Sequence, residues 1–237
     1  MLHPLSGALR EGLLGLGLAL EEEVQARLLA YMDLIAKWTK VYNLTAVRDV
    51  QEMLTHHVLD SLAVVIPLRR ELGKLAPLGR VSTGVPNMVN APEAVSMDAP
   101  LFRLLDVGAG AGLPGVVVAI TCPDVSVTCV DTVAKKAAFV QQVAATLRLP
   151  NLRGLHARVE TLTDPYDAVC SRAFASLPDF TAWSACALAP HGVWLAMKGK
   201  HPEAEIQALP SSVKVFHVEP LTVPGLDAER CIVWMRG

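Results

Sequence analysis

Leu104-Leu105-Asp106-Val107-Gly108-Ala109-Gly110-Ala111-Gly112-Leu113-Pro114-Gly115 joins a short apolar run to four glycines and a proline. An apolar run ending in glycines fits a buried strand whose backbone comes close to a ligand, and Pro114 suits the first turn of a following helix. In a doubly wound sheet the crevice beyond such strand ends takes a nucleotide-like ligand. Downstream, short apolar runs alternate with helical periods, the pattern of an α/β domain with a Rossmann-like, mostly parallel seven-stranded sheet. Strands are expected near 102–107, 125–130, 152–157, 166–171, 192–198, 213–218 and 230–236. Helices are expected near 112–121, 133–148, 177–188 and 202–208. Only the last pair of strands is read as lacking a helix between them, which suggests an antiparallel edge hairpin joined by Pro220 to Glu229.

Upstream of this domain, residues 1–72 read as a helical N-terminal extension. Leu28, Leu29, Met32, Leu34, Ile35 and Trp38 recur at spacings of three and four, as one buried helix face requires. A second helical segment is expected from about Val50 to Leu68, stopped by Pro67 and the residues after it, with cap or turn chemistry at Tyr42-Asn43-Leu44-Thr45 between the two. Residues 73–100 carry Pro77, Gly79, Gly84, Pro86, Pro92 and Pro100 without a sustained period and read as a Pro/Gly-rich insert or loop. Residues 101–237 form the α/β domain.

The 237 residues are 52% apolar and 19% charged, with a mean hydropathy of +0.38, which excludes a disordered chain. With 21 Lys+Arg against 23 Asp+Glu the net charge is -2, which excludes a basic coat for indiscriminate nucleic-acid binding. The distribution is nevertheless one-sided, because between 132 and 159 stand Lys135, Lys136, Arg148, Arg153 and Arg158 with no acidic residue. The cysteines (Cys122, Cys129, Cys170, Cys186, Cys231) show no CxxC spacing and read as reduced residues of a cytoplasmic protein. The apolar stretch Gly12 to Leu20 is short and meets Glu21, Glu22 and Glu23, so neither a secretory signal nor a membrane span is expected.

Gly110 to Gly115 formally satisfies GxGxxG, so a dinucleotide site is one reading of the loop. Two features weigh toward S-adenosylmethionine instead. Asp106 stands where dinucleotide folds commonly carry an apolar residue, and Pro114 removes an amide that a pyrophosphate would use. Asp131, at the end of the second strand, is placed to accept both ribose hydroxyls of either adenosine ligand. Arg158-Val159-Glu160, after the third strand, is placed to border the adenine. Ser171-Arg172-Ala173 follows the fourth strand and Met197-Lys198-Gly199-Lys200 the fifth, at ligand-facing ends where basic groups suit phosphates. In Thr55-His56-His57-Val58-Leu59-Asp60, helical spacing puts His56 and Asp60 on one face as a hydrogen-bonded pair. No Cys/His cluster accompanies them, so no metal is expected.

These residues together carry a family resemblance. Trp38 to Asp49 (WTKVYNLTAVRD), His57 to Ser61, the Asp106 to Gly115 loop, Lys135-Lys136, Ser171-Arg172-Ala173, Lys198-Gly199 and the tail Val223 to Arg230 resemble the bacterial 16S ribosomal RNA guanine-N7 methyltransferases, also called glucose-inhibited division protein B. The resemblance implies that 101–237 is a class I S-adenosylmethionine-dependent methyltransferase domain whose methyl goes to N7 of a guanine in the decoding-region loop. The 73–100 insert departs from the family's usual shorter connection. Position by position, Gly108, Leu113, Asp131, Thr132, Val159, Glu160 and Arg172 would contact the cofactor, joined by Asp106, Gly110 and Gly112 of the loop. Arg172 and Lys198 are the expected catalytic groups, and Lys135, Lys136, Lys198 and Lys200 the expected RNA contacts. The partner is 16S rRNA or the 30S subunit, met by a monomer without membrane or metal. The competing readings are an NAD-dependent oxidoreductase, a non-catalytic RNA-binding assembly factor and a small-molecule methyltransferase.

Overall fold

The structure is a computed structural model that describes residues 3–75 and 102–237. Seven strands form one sheet: β1 (Phe102–Val107), β2 (Val125–Asp131), β3 (Leu152–His156), β4 (Tyr166–Arg172), β5 (Leu188–Lys198), β6 (Lys214–Leu221) and β7 (Arg230–Arg236). Their order is β3-β2-β1-β4-β5-β7-β6. Every pair from β3 to β5 is parallel, and β7 runs antiparallel to both neighbours. The antiparallel pair at one edge is as expected, with β7 inside and β6 outermost. From β1 the chain builds outward through β2 and β3, then returns to β4 on the other side. The strand order therefore reverses between β1 and β4, which opens the crevice at their carboxyl ends.

Successive strand residues face opposite sides of a sheet, and here both sides are apolar. Leu104, Val127, Cys129, Ala168 and Leu195 belong to one core cluster, Leu105, Val130, Val169 and Ala196 to the other. A sheet covered on both faces needs unbroken apolar strands rather than alternation, which is why the strands stand out in the sequence. The first face is covered by α6 (Gly115–Thr121), α7 (Ala134–Thr146) and the N-terminal helices, the second by α8 (Leu177–Ser184) and residues around α9 (Glu203–Gln207).

The N-terminal helices are α1 (Ser6–Gly15), α2 (Glu22–Tyr42), α3 (Val50–Met53), α4 (Asp60–Leu62) and α5 (Val65–Leu75). Leu9, Leu28, Met32, Ile35 and Leu68 share one core cluster with Val116 and Val118 of α6, so the extension has no core of its own. Asn43 ends α2 in the left-handed conformation (φ 51), and the Asp49 carboxylate caps α3 by accepting from Gln51 N and Glu52 N at 2.9 and 3.0 Å.

Four expectations are corrected. Pro67 does not stop a helix but sits in the first turn of α5, where its missing N–H has no helical acceptor to lose. The segment from Val50 is not one regular helix, because Leu54–Leu59 between α3 and α4 is π-helical. The β3–β4 connection also lacks an α-helix and contains only the 3₁₀ turn Val159–Thr161. After the glycine loop the helix starts at Gly115, not near 112. Residues 73–75 close α5, and the rest of the expected insert lies outside the described residues. Among the described residues no helix is long and apolar enough to cross a membrane.

Candidate functional site

The glycine loop leaves β1 and is fixed to the end of β2. Gly108 N and Ala109 N both donate to the Val130 carbonyl, at 2.9 and 3.2 Å, and Gly110 N donates to Asp131 Oδ2 at 3.0 Å. Gly108 has φ +66, and a Cβ there would overlap the ring of Phe174. Only glycine allows both the left-handed turn and that aromatic contact. Gly115 is required for a different reason. A Cβ would lie 2.8 Å from Asp106 Oδ2, the atom that accepts the Gly115 N–H at 2.8 Å. Asp106 is fully buried beneath the loop, and burial pushes its carboxyl up from 3.8 to about 7, against the opposing pull of the Gly115 amide and Arg172. Its second oxygen has no partner among the described residues. Tyr31 of α2 donates from its hydroxyl to the Ala111 carbonyl at 2.6 Å, so the N-terminal extension also holds the loop.

Two cavities meet at Gly108 and Ala173, which border both. The larger, about 710 Å³, has Asp131, Thr132, Lys136, Val159, Glu160 and the aromatic pair Phe174 and Trp183 on its walls. The two rings pack edge-on with centroids 5.8 Å apart. Asp131 accepts from Val133 N at 2.8 Å and from Gly110 N. A carboxylate has about four acceptor positions, so two remain for a diol. Lys136 lies 3.7 Å from Asp131 Oδ2. This cavity fits an adenosine: a carboxylate for the ribose, and Val107, Val130, Val159 and Phe174 as apolar walls for a flat base.

The second cavity, about 520 Å³, lies on the other side of the loop and is bordered by Gly110, Leu113, His57, Arg172, Lys198 and Arg230, among others. Arg172 Nη1 donates to Asp60 Oδ2 at 2.8 Å and to the His56 carbonyl at 2.9 Å. The other Asp60 oxygen accepts from Arg230 Nε at 2.9 Å. The His57 Nε2 lies 2.8 Å from Thr45 Oγ1, and burial lowers the pKa of its imidazole.

The structure gathers most of the expected cofactor residues around these cavities. Gly108, Gly110, Leu113, Asp131, Thr132, Val159, Glu160 and Arg172 all border one of them. Asp106 and Gly112 border neither: Asp106 supports the loop from beneath, and Gly112 is part of the loop, with φ +87 and no room for a Cβ against Val116. His56 and Asp60 do not form the expected pair, because the π-helical stretch breaks the four-residue register and Asp60 turns to two arginines. Lys198 borders the second cavity, but its ammonium is held by the Ala175 carbonyl at 3.0 Å and by Glu205 Oε2 at 2.7 Å. Lys136 faces Asp131, while Lys135 and Lys200 are exposed and border neither cavity. Tyr31, Phe174, Trp183, Glu205 and Arg230 escaped the sequence reading as site residues. Tyr31 hides in the apolar stripe of α2, whereas Phe174 directly follows Ser171-Arg172-Ala173 and was legible as an aromatic at a strand end. Among the described residues no group of three or more His, Cys, Asp or Glu stands together as metal ligands would.

The family profile described as rRNA small subunit methyltransferase G matches residues 24–79 and 81–233 of this chain. Proteins named ribosomal RNA small subunit methyltransferase G from Acidovorax ebreus (strain TPSY) and Albidiferax ferrireducens (strain ATCC BAA-621 / DSM 15236 / T118) are 62% and 61% identical to it. The first match covers 98% of this chain and 95% of that protein, the second 99% and 98%. Among solved structures, TrmN from Thermus thermophilus superposes with a TM-score of 0.51 over 77% of this chain and 53% of its own, at 17% identity, a likeness of fold.

Proposed function

Because the chain belongs to the rRNA small subunit methyltransferase G family, we propose that its two joined cavities divide one reaction, methyl transfer from S-adenosylmethionine to N7 of a guanine in 16S rRNA. The observation that carries this reading is the continuity at Gly108 and Ala173 between the Asp131 cavity and the Arg172 cavity. Asp131 receives the ribose hydroxyls, Val159 and Glu160 border the adenine, and Phe174 closes the apolar side. Gly108, Gly110 and Leu113 carry the methionine part past the loop toward Arg172. The substrate is 16S rRNA or the 30S subunit, met by a monomer in the cytoplasm.

Bound there, S-adenosylmethionine supplies a methyl on a sulfonium, a group that leaves without acid catalysis. Guanine N7 bears a lone pair and no proton. The sulfonium's C–S bond would break as the N7–C bond formed, releasing a neutral thioether and leaving the positive charge on the guanine, with no proton to move. The protein therefore needs no general base and supplies alignment and a dry approach, which can contribute roughly 7–11 kcal/mol. Asp106, fully buried and outside both cavities, is not a base for this reaction but a support for the loop. Arg172, fixed by Asp60, is a cation on the wall of the second cavity, next in sequence to Ala173 where the two cavities meet.

Thermal melts with each nucleotide test the cofactor assignment. S-adenosylmethionine at a hundred times its Kd should stabilise the fold by about 2.7 kcal/mol, and NAD should not. Equal stabilisation by NAD would contradict the assignment.

A further inference from the structure

Arg230 opens β7 and reaches back to the π-helical stretch. Its Nε donates to Asp60 Oδ1 at 2.9 Å and its Nη1 to the Glu229 carbonyl at 2.8 Å. Arg172 takes the other Asp60 oxygen. The Asp60 side chain is 3% exposed, whereas the arginines keep 20% and 23%. One buried carboxylate thus holds two guanidiniums that both border the second cavity, and it neutralises only one of them. Asp60 is the single acidic residue on that wall among the described residues, and Arg230 Nη2 has no protein acceptor among them. Lys198 adds no free charge, since Glu205 pairs with it. Beside the apolar walls of Leu44, Leu113 and Met197, a surplus guanidinium that is only 23% exposed favours an anion as its partner.

The sheet order separates the two arginines by role. β4, which carries Arg172, is the direct neighbour of β1 and its glycine loop. β7, which carries Arg230, lies three strand spacings from β1, roughly 14 Å at about 4.8 Å per spacing. Arg172 therefore enters the cavity from the cofactor side, and Arg230 from the side away from it.

We propose that Arg230 is an RNA-binding residue, receiving a phosphate oxygen of the backbone that carries the target guanine, and that Asp60 is the positioning residue that aims it. This rests on the reading of the protein as an RNA methyltransferase. A planar guanidinium donates two parallel hydrogen bonds to a phosphate. Asp60 occupies Nε and the Glu229 carbonyl one Nη1 proton, which leaves Nη2 and the second Nη1 proton for the phosphate.

R230Q tests the proposal, because the amide still donates to Asp60 while the charge is lost. KM for undermethylated 30S subunits should rise roughly tenfold, while the Kd of S-adenosylmethionine, measured by calorimetry, stays within about twofold. The dependence of log KM on log salt should become shallower by about 0.7 to 0.9, the contribution of one phosphate contact. R230K should restore the salt dependence but only part of the affinity, since an ammonium lacks the fork. D60N should weaken both RNA and cofactor binding, as it releases both arginines. An unchanged KM and salt slope in R230Q, or an equal loss of cofactor affinity, would overturn the assignment. If the unaltered protein transfers no methyl to RNA, the functional reading itself fails, and with it this one.

Discussion

Replacing Asp106 by Asn should make the protein more resistant to unfolding at neutral pH and progressively less so in acid. Asp106 is fully buried, and desolvation lifts its carboxyl from 3.8 to about 7. The folded state therefore holds the proton more tightly than the unfolded chain does. Below the unfolded value both states are protonated and the group costs nothing. As pH rises, the unfolded chain ionises first, and stability falls until the folded carboxyl also ionises near pH 7. Each pKa unit is about 1.4 kcal/mol, so the cost grows from roughly 1 kcal/mol at about pH 4.5 to roughly 4 kcal/mol at about pH 8, with a plateau above that. Asn does not titrate, and its oxygen still accepts the Gly115 N–H. Urea unfolding of both proteins across this range reads the difference directly. The gap between D106N and the unaltered protein should widen by about 3 kcal/mol from acid to neutral pH. Parallel curves, or a gap that narrows as pH rises, would show that the carboxyl is not held protonated by burial.

Three further outcomes follow from the same contacts. G108A should cost about 1–2 kcal/mol for its left-handed backbone alone and weaken S-adenosylmethionine at least tenfold by displacing Phe174; adding F174L should recover part of the binding, as calorimetry would read. Y31F should lower stability by about 1–3 kcal/mol, because the Ala111 carbonyl loses its buried donor, with no change in the denaturant slope. D131A should weaken the cofactor by roughly 10- to 100-fold, the worth of a charge-assisted hydrogen bond, and leave KM for RNA near its original value in steady-state assays.

The central strands β1, β2, β4 and β5 were legible because strands covered on both faces are largely apolar, and the glycine loop because its turn admits few other residues. Asp131 was legible from its place at the end of β2. The Asp60 contacts were not. Asp60 and Arg172 lie 112 positions apart, Asp60 and Arg230 170, and the π-helical turn displaces Asp60 from the face that α-helical spacing assigns. Lys198 was rightly placed at a strand end, but its partner Glu205 lies on α9, and no sequence pattern announces that ion pair. Pro67 was misread because a proline at the start of a helix and one that ends a helix look alike in sequence.

Incubation with labelled S-adenosylmethionine and undermethylated 30S subunits, followed by mapping of the labelled position, identifies the atom that the protein methylates. Label should appear on N7 of a guanine in the decoding-region loop of 16S rRNA. Label on an exocyclic nitrogen, on a ribose or on protein would contradict the assignment to N7.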